Sequence, residues 1–343
     1  MRLFQLLPYI FFAFCTGLKG QSTLSLFETL YGLEGVRLTL TYPFDSLYRT
    51  NQEEIEAIIR IESQAGVLMK DERMTLNLRG KFRRMKCNMP PLLLNFKKST
   101  LRDLGLKDTD EMKLVTHCLD TPEGKSNLEE ERLCYQMYET LTPYAYRTIW
   151  ITVDYIDQLN PGNHILSTGF LLEPDKDINA RLGVQERKLF NVAEDSLHYN
   201  SYGLAAAFNF LIGNRDWSIV MSRNAKLFFD PAQGKYIVIP YDFDYSNIVS
   251  ASYRRETRPV EMVNPYDRLY QGEYFKSRSG EILKSFVSNK STILSRVNSA
   301  PGTMNETRRK SIYKYLEFWF DEVDKRSVRE LKYGMVIPYK GNL

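Results

Sequence analysis

Polar and apolar residues alternate through the first third of the chain. Val36-Arg37-Leu38-Thr39-Leu40-Thr41-Tyr42 sets every second side chain on one apolar face, residues 55–61 do so more loosely, and Met74-Thr75-Leu76-Asn77-Leu78 does so cleanly. Period two with one apolar face predicts strands of half-exposed sheets. The period then lengthens. Ser126-Asn127-Leu128-Glu129 reads as a capping box, and Cys134, Met137, Tyr138 and Leu141 follow at helical spacing, so a helix is predicted from there to about Leu141. Strands return at residues 146–155 and 165–172, around the turn Asn160-Pro161-Gly162-Asn163. Residues 200–212 form an apolar helix with Leu204, Phe208, Leu211 and Ile212 inward, stopped by Gly213. Two more helical stretches close the chain: residues 280–297, and one capped by Thr303-Met304-Asn305-Glu306 whose Ile312, Leu316, Trp319 and Phe320 are core positions.

Between these helices lies a hairpin. Two apolar runs, 225–229 and 236–240, flank the turn Asp230-Pro231-Ala232-Gln233-Gly234, and acids mark the outer ends: Asp216 before the first strand, Asp242 and Asp244 after the second. A hairpin folds its outer ends together, so these carboxylates can share one cleft. Acids beside a buried strand repel one another and lose solvation, which calls for a cation. Magnesium, with its preference for one or two carboxylates completed by water and phosphate, answers that need.

A loop Asp, an Asn, and then a strand running into a metal-binding Asp is the order in which protein kinases build their phosphoryl-transfer centre. Here the members are Asn214-Arg215-Asp216, Asn224 and Asp242-Phe243-Asp244, and segments 209–218, 223–227 and 238–245 resemble the CotH-like atypical kinase family, in particular an exported branch of Bacteroidetes-type bacteria. The resemblance implies an α+β, bilobed protein-kinase-like fold. It places a β-rich N-terminal lobe at 74–172 after a β-rich extension at 21–73, and a mainly helical C-terminal lobe at 173–343. It also implies ATP with Mg²⁺ or Mn²⁺ in the cleft: Asp216 would take the proton of the acceptor hydroxyl, Asp242 would bind the metal with Asp244 beside it, and Asn224 would bind a second ion. Residues 78–96 look like the family's Arg-Gly segment and Pro-Lys strand, so Arg79, Arg83 and Lys86 would face the nucleotide. Pro90-Pro91 stands where the phosphate lysine would be. Arg83, Lys86, Lys97 and Lys113 therefore remain candidates for that cation. Glu131 matches the acid that holds the lysine in kinases; Glu173 would touch adenine, ribose or metal, or simply begin a helix. The implied acceptor is a protein Ser or Thr first and a glycan second. Two other readings stand beside the kinase: a catalytically silent binding module, and a metal-dependent phosphoesterase acting without ATP.

Residues 1–20, with Arg2, an apolar run to Phe14 and small polar residues after it, have the layout of a secretory signal peptide whose apolar run is too short for a dependable membrane span. Export, to the periplasm or beyond, is expected, with no membrane span after cleavage. Three cysteines would remain, and Cys87 with Cys118, each beside a strand, is the expected disulfide, leaving Cys134 buried on its helix. No CxxC pair suggests zinc. The formal charge of +4 is too small, and the basic cluster at 79–86 too local, to predict nucleic-acid binding.

Overall fold

The computed structural model describes residues 24–48, 54–80, 83–254, 262, 264–274, 279–300, 304–325, 331–341 and 343. The expected signal peptide and Thr303 of the last capping motif lie outside them. Helix α1 (Leu26–Leu30) is closed by a capping box between Ser25 and Glu28. Strands β1 (Arg37–Tyr42), β2 (Ile55–Ser63) and β3 (Gly66–Leu78) follow as antiparallel neighbours, and after the one-turn α2 (Arg83–Lys86) come β4 (Leu92–Phe96), α3 (Lys98–Asp103) and β5 (Glu111–Thr116). Helix α4 (Pro122–Glu139) leads to the long pair β6 (Thr148–Asp157) and β7 (His164–Leu172).

These seven strands close on themselves in the order β1-β2-β3-β4-β5-β7-β6. The closing contact is the parallel pairing of β1 with β6, from Arg37 opposite Thr152 to Tyr42 opposite Asp157. The alternation read from the sequence is the alternation of the barrel wall: Leu38, Leu40 and Tyr42 of β1 point into a filled interior with Ile59, Leu76 and Leu94. Closure leaves no free edge among the seven.

This barrel overturns the expected bilobed kinase-like architecture. The stretch taken for a separate extension supplies β1, β2 and most of β3, hydrogen-bonded into the same wall as the strands of 92–172. Alternation showed that these segments are strands with one buried face; it carries no information on which strand is whose neighbour.

The second half builds a helical layer around a small sheet. Helix α5 (Asp175–Leu182), β8 (Gln185–Arg187) and α6 (Tyr199–Ile212) precede the hairpin β9 (Ala225–Asp230) and β10 (Lys235–Pro240), and the sheet order is β10-β9-β8. Then come β11 (Arg268–Leu269), α7 (Ser279–Ser288), α8 (Lys290–Asn298), α9 (Glu306–Lys325) and β12 (Val336–Ile337), which pairs with β11. Helix α6 is the hub, buried from Ser201 to Ile212. The side chain of Arg268, wholly buried, donates from Nε to the Leu211 carbonyl at its C-terminal end and stacks 3.4 Å above the Tyr315 ring. The stretch 280–297 is two helices rather than one. The break falls at Asn289, whose backbone (φ −99°, ψ 6°) leaves the helical region while its N–H and its side-chain amide both donate to the Ser285 carbonyl.

Helix α4 joins the two halves. It begins earlier than expected: Thr121 is its N-cap, its hydroxyl accepting from Gly124 N–H, with Pro122 in the first turn. The Ser126 hydroxyl instead donates to Glu130 one turn on. From α4, Tyr135 meets Phe170 of the barrel and Phe243 of the post-hairpin loop edge-on, and Tyr138 packs on Phe208 of α6.

Candidate functional site

The hairpin brings its ends together as expected. Ala225 pairs with Pro240, and one residue further out the Tyr241 N–H donates to the Asn224 carbonyl. Asn224 and Asp242, just outside the two strands, both take positive φ, 50° and 60°. That region is uncommon outside glycine, tolerated best by Asn and Asp, and held only where surrounding contacts fix it. Such contacts exist. Asn224 Nδ2 donates to both the Asp216 carbonyl (2.7 Å) and its carboxylate (2.9 Å), and the Asp242 N–H donates to the Tyr135 hydroxyl at 2.9 Å.

Asp216 is placed by a chain of buried amides. Gly213 ends α6 with φ of 67°, and a Cβ there would lie 2.5 Å from the Asn247 amide nitrogen, so the turn needs glycine. Beyond it the Asn214 side chain accepts from the Asp216 N–H and donates to Asn209, which itself donates to the Ala205 carbonyl. Both asparagines are fully buried. The Asp216 carboxylate emerges from this frame one-third exposed and is also paired with Arg223 at 3.2 Å.

Across the cavity sits Arg83 from α2. Its guanidinium reaches Asp244 (2.6 Å), Asp242 (3.0 Å) and Glu131 (3.5 Å), and the Tyr253 hydroxyl donates to Asp244 from the other side. Three acids from two distant segments thus share one guanidinium. Burial, reinforced by the neighbouring acids and partly offset by Arg83, pushes Glu131 up to about 8; burial and Asp244 push Asp242 up to about 7. The Asp242 side chain keeps 41% of its surface open to the cavity, so depth in the protein rather than close cover withholds its solvation. The trio is short of positive charge.

Arg79, Gly80, Arg83, Pro91, Val115, Glu131, Leu172, Asp216, Asn224, Asp242 and Asp244 line a single cavity of about 250 Å³ together with Tyr135, Tyr241 and Tyr245. Of the expected site residues, Arg79, Arg83, Glu131, Asp216, Asn224, Asp242 and Asp244 therefore meet there. Three do not. Lys113 on β5 lies beside the cavity, 3.6 Å from Asp175 and over the Tyr146 and Tyr241 rings, and burial lowers its pKa to about 8. Lys86 is exposed at the end of α2 and is not part of the lining. Glu173 is wholly buried and clamped by Arg147 and Arg181 (2.7 and 2.9 Å), a structural ion cluster with no reach to the cavity. The sequence reading missed the tyrosines. Tyr241 and Tyr245 flank Asp-Phe-Asp directly, and Tyr135 is one helical turn beyond Glu131, a signal that was available.

The Cys87–Cys118 disulfide forms as expected, and Cys134 is a buried thiol on α4. The bridge sits just past α2, where the Cys87 N–H closes the turn on the Arg83 carbonyl, and so ties the arginine's own helix to the end of β5.

Among the described residues no group of three or more His, Cys, Asp or Glu side chains is arranged to hold a metal by itself. Asp244 is taken up by Arg83 and Tyr253, while Asp242, though also paired with Arg83, keeps open surface in the cavity that Asn224 lines with it. That donor set fits a magnesium that arrives with phosphate oxygens and waters, not one caged by protein alone. No helix among the described residues is long and apolar enough to cross a membrane. No protein-family model and no curated protein matches the chain.

Proposed function

We propose that the chain binds ATP with magnesium or manganese in this cavity and transfers the terminal phosphoryl group to a hydroxyl acceptor, as the local likeness to CotH-like kinases suggests. The reading does not need a kinase architecture; it needs the site. The observation that carries it is Arg83 among Glu131, Asp242 and Asp244, facing Asp216 across one cavity. A cation held by a buried glutamate beside a metal-type aspartate, with a second aspartate oriented by Asn224, is the division of labour that phosphoryl transfer requires.

In this reading Arg83 takes the role left open by Pro91, and its planar fork suits phosphate oxygens. Asp242, with Asn224 beside it, would hold the metal, which neutralises charge developing on the phosphates. Asp216 accepts the proton of the attacking hydroxyl, its carboxylate fixed in direction by Asn224 and Arg223. The Cys87–Cys118 bridge supports an exported location, since such bonds persist in oxidising compartments.

The test is transfer of label from γ-labelled ATP by the mature protein with magnesium or manganese. Asp216→Asn should lower turnover by about 10²- to 10⁴-fold while nucleotide still raises the melting temperature. Asp242→Asn should abolish the metal-dependent part of that rise. Equal labelling by wild type and both variants, or no nucleotide binding by any of them, removes the proposal. Release of phosphate from simple phosphoesters without ATP would replace it with hydrolysis.

A further inference from the structure

A second cavity, of about 190 Å³, adjoins the residues that follow Asp216 and is lined by Tyr202, Trp217, Tyr274 and Tyr333 with Ser218, Ile219, Arg223, Gln271 and Glu273. Arg223 belongs to both places: it borders this cavity and its Nε lies 3.2 Å from the Asp216 carboxylate that borders the first. Trp217 is the residue next to Asp216. We infer that this second cavity is the acceptor subsite and that the acceptor is a sugar ring, one of whose hydroxyls reaches Asp216; the inference rests on the phosphotransfer reading above.

The lining favours a compact, hydroxylated ring. Four aromatic side chains supply flat apolar wall: Tyr202 and Trp217 are buried, Tyr274 is half-buried, and Tyr333 is open over 56% of its surface. Between them stand groups of both hydrogen-bonding senses. Arg223 donates, Glu273 accepts, and the Gln271 amide oxygen is buried with no partner among the described residues. A buried acceptor without a donor costs free energy until a ligand O–H or N–H reaches it. Apolar wall with a few polar groups of mixed sense is the chemistry of a site that fixes the orientation of a polyhydroxylated ligand. An extended peptide would want a strand edge to pair with. Apart from the single bridge between Ser218 and Arg223, the lining residues come from helix and loop, so no such edge faces the cavity.

The transfer balances simply. The sugar oxygen forms a bond to the terminal phosphorus of ATP, the bond from that phosphorus to the bridging oxygen breaks, ADP leaves with the electron pair, and the hydroxyl proton passes to Asp216.

The experiment uses the mature chain and a panel of methyl glycosides of glucose, galactose, xylose and N-acetylglucosamine, with a Ser/Thr-rich peptide as the competing acceptor. Saturation-transfer NMR reads binding without any chemistry, and labelled ATP reads transfer. At least one glycoside should bind and become labelled. Gln271→Leu and Tyr333→Ala should each weaken glycoside binding about tenfold and raise its KM with little change in kcat; a melting temperature near wild type shows that each has folded. Absence of glycoside binding, binding indifferent to both variants, or labelling of the peptide with no labelling of any glycoside overturns the sugar subsite. Failure of nucleotide to bind would sink the phosphotransfer reading separately, and glycoside binding would still judge this cavity.

Discussion

Arg83 carries more of this site than any other side chain, because it is the partner through which Glu131, Asp242 and Asp244 tolerate one another. Asp242 and Glu131 bind protons more tightly folded than unfolded, their pKa values rising from the ordinary carboxylate range to about 7 and about 8. Their contribution to stability is therefore full below about pH 4, at the unfolded pKa, and is lost as pH rises through 7 to 8. The melting temperature of wild type should fall more between pH 5 and 8 than that of Asp242→Asn, and magnesium should recover more of it at pH 8 than at pH 5. A fall of the same size in both proteins would refute the assignment. The acids of this site were legible in the sequence, since Asp242-Phe243-Asp244 next to a strand demands a cation. Which cation answers was not: Arg83, Lys86, Lys97 and Lys113 carry the same charge, and only position in space separates the one that reaches three carboxylates from those that do not.

Elements turn those residues into a site. Helix α2 is a single turn and could not hold an arginine against three acids by itself. The disulfide fastens it, closing a loop of sequence separation 31. The double variant Cys87→Ser/Cys118→Ser should lose about 3–4 kcal/mol in urea unfolding by the chain-entropy relation. On the proposed phosphotransfer reading it should also lose turnover more steeply than stability alone explains; a variant that keeps full turnover would show that α2 does not depend on the bridge. On the other wall, Asn214→Ala removes the side chain that accepts from the Asp216 N–H and donates to Asn209. On the proposed reading, in which Asp216 is the base, turnover should fall about tenfold or more through its misplacement, with the KM for ATP nearly unchanged. The hairpin was legible because its turn residues and flanking apolar runs are local. The start of α4 was misread because two capping signals lie five residues apart. Thr121-Pro122 wins, and Ser126 is left to bond Glu130 from within the helix.

At the scale of the molecule, the barrel and the helical layer are joined across α4, and one ion pair shows how firmly. Arg308 of α9 reaches Glu130 at 2.7 Å and also donates to the Ile248 carbonyl, while Glu130 is almost wholly buried and burial raises its pKa. Arg308→Met should destabilise by about 3–5 kcal/mol, because it strands a buried acid, and Glu130→Gln in the same chain should recover part of the loss. Additive losses in thermal unfolding would refute the pairing. By itself the sequence determined the strands at 36–42, 55–61 and 74–78, the inward faces of the helices and the hairpin with acids at both ends, since these follow from periodicity and from residues close along the chain; the Cys87–Cys118 pair, at a separation of 31, was one pairing among three until the fold brought the two together. The tertiary structure alone decided that β1 closes a barrel against β6, that Arg83 and not a lysine meets the acids, and that Glu173 is structural. The reason is physical: alternation says which face of a strand is buried, but the neighbour that buries it is chosen by contacts between segments a hundred residues apart, where no local pattern reaches.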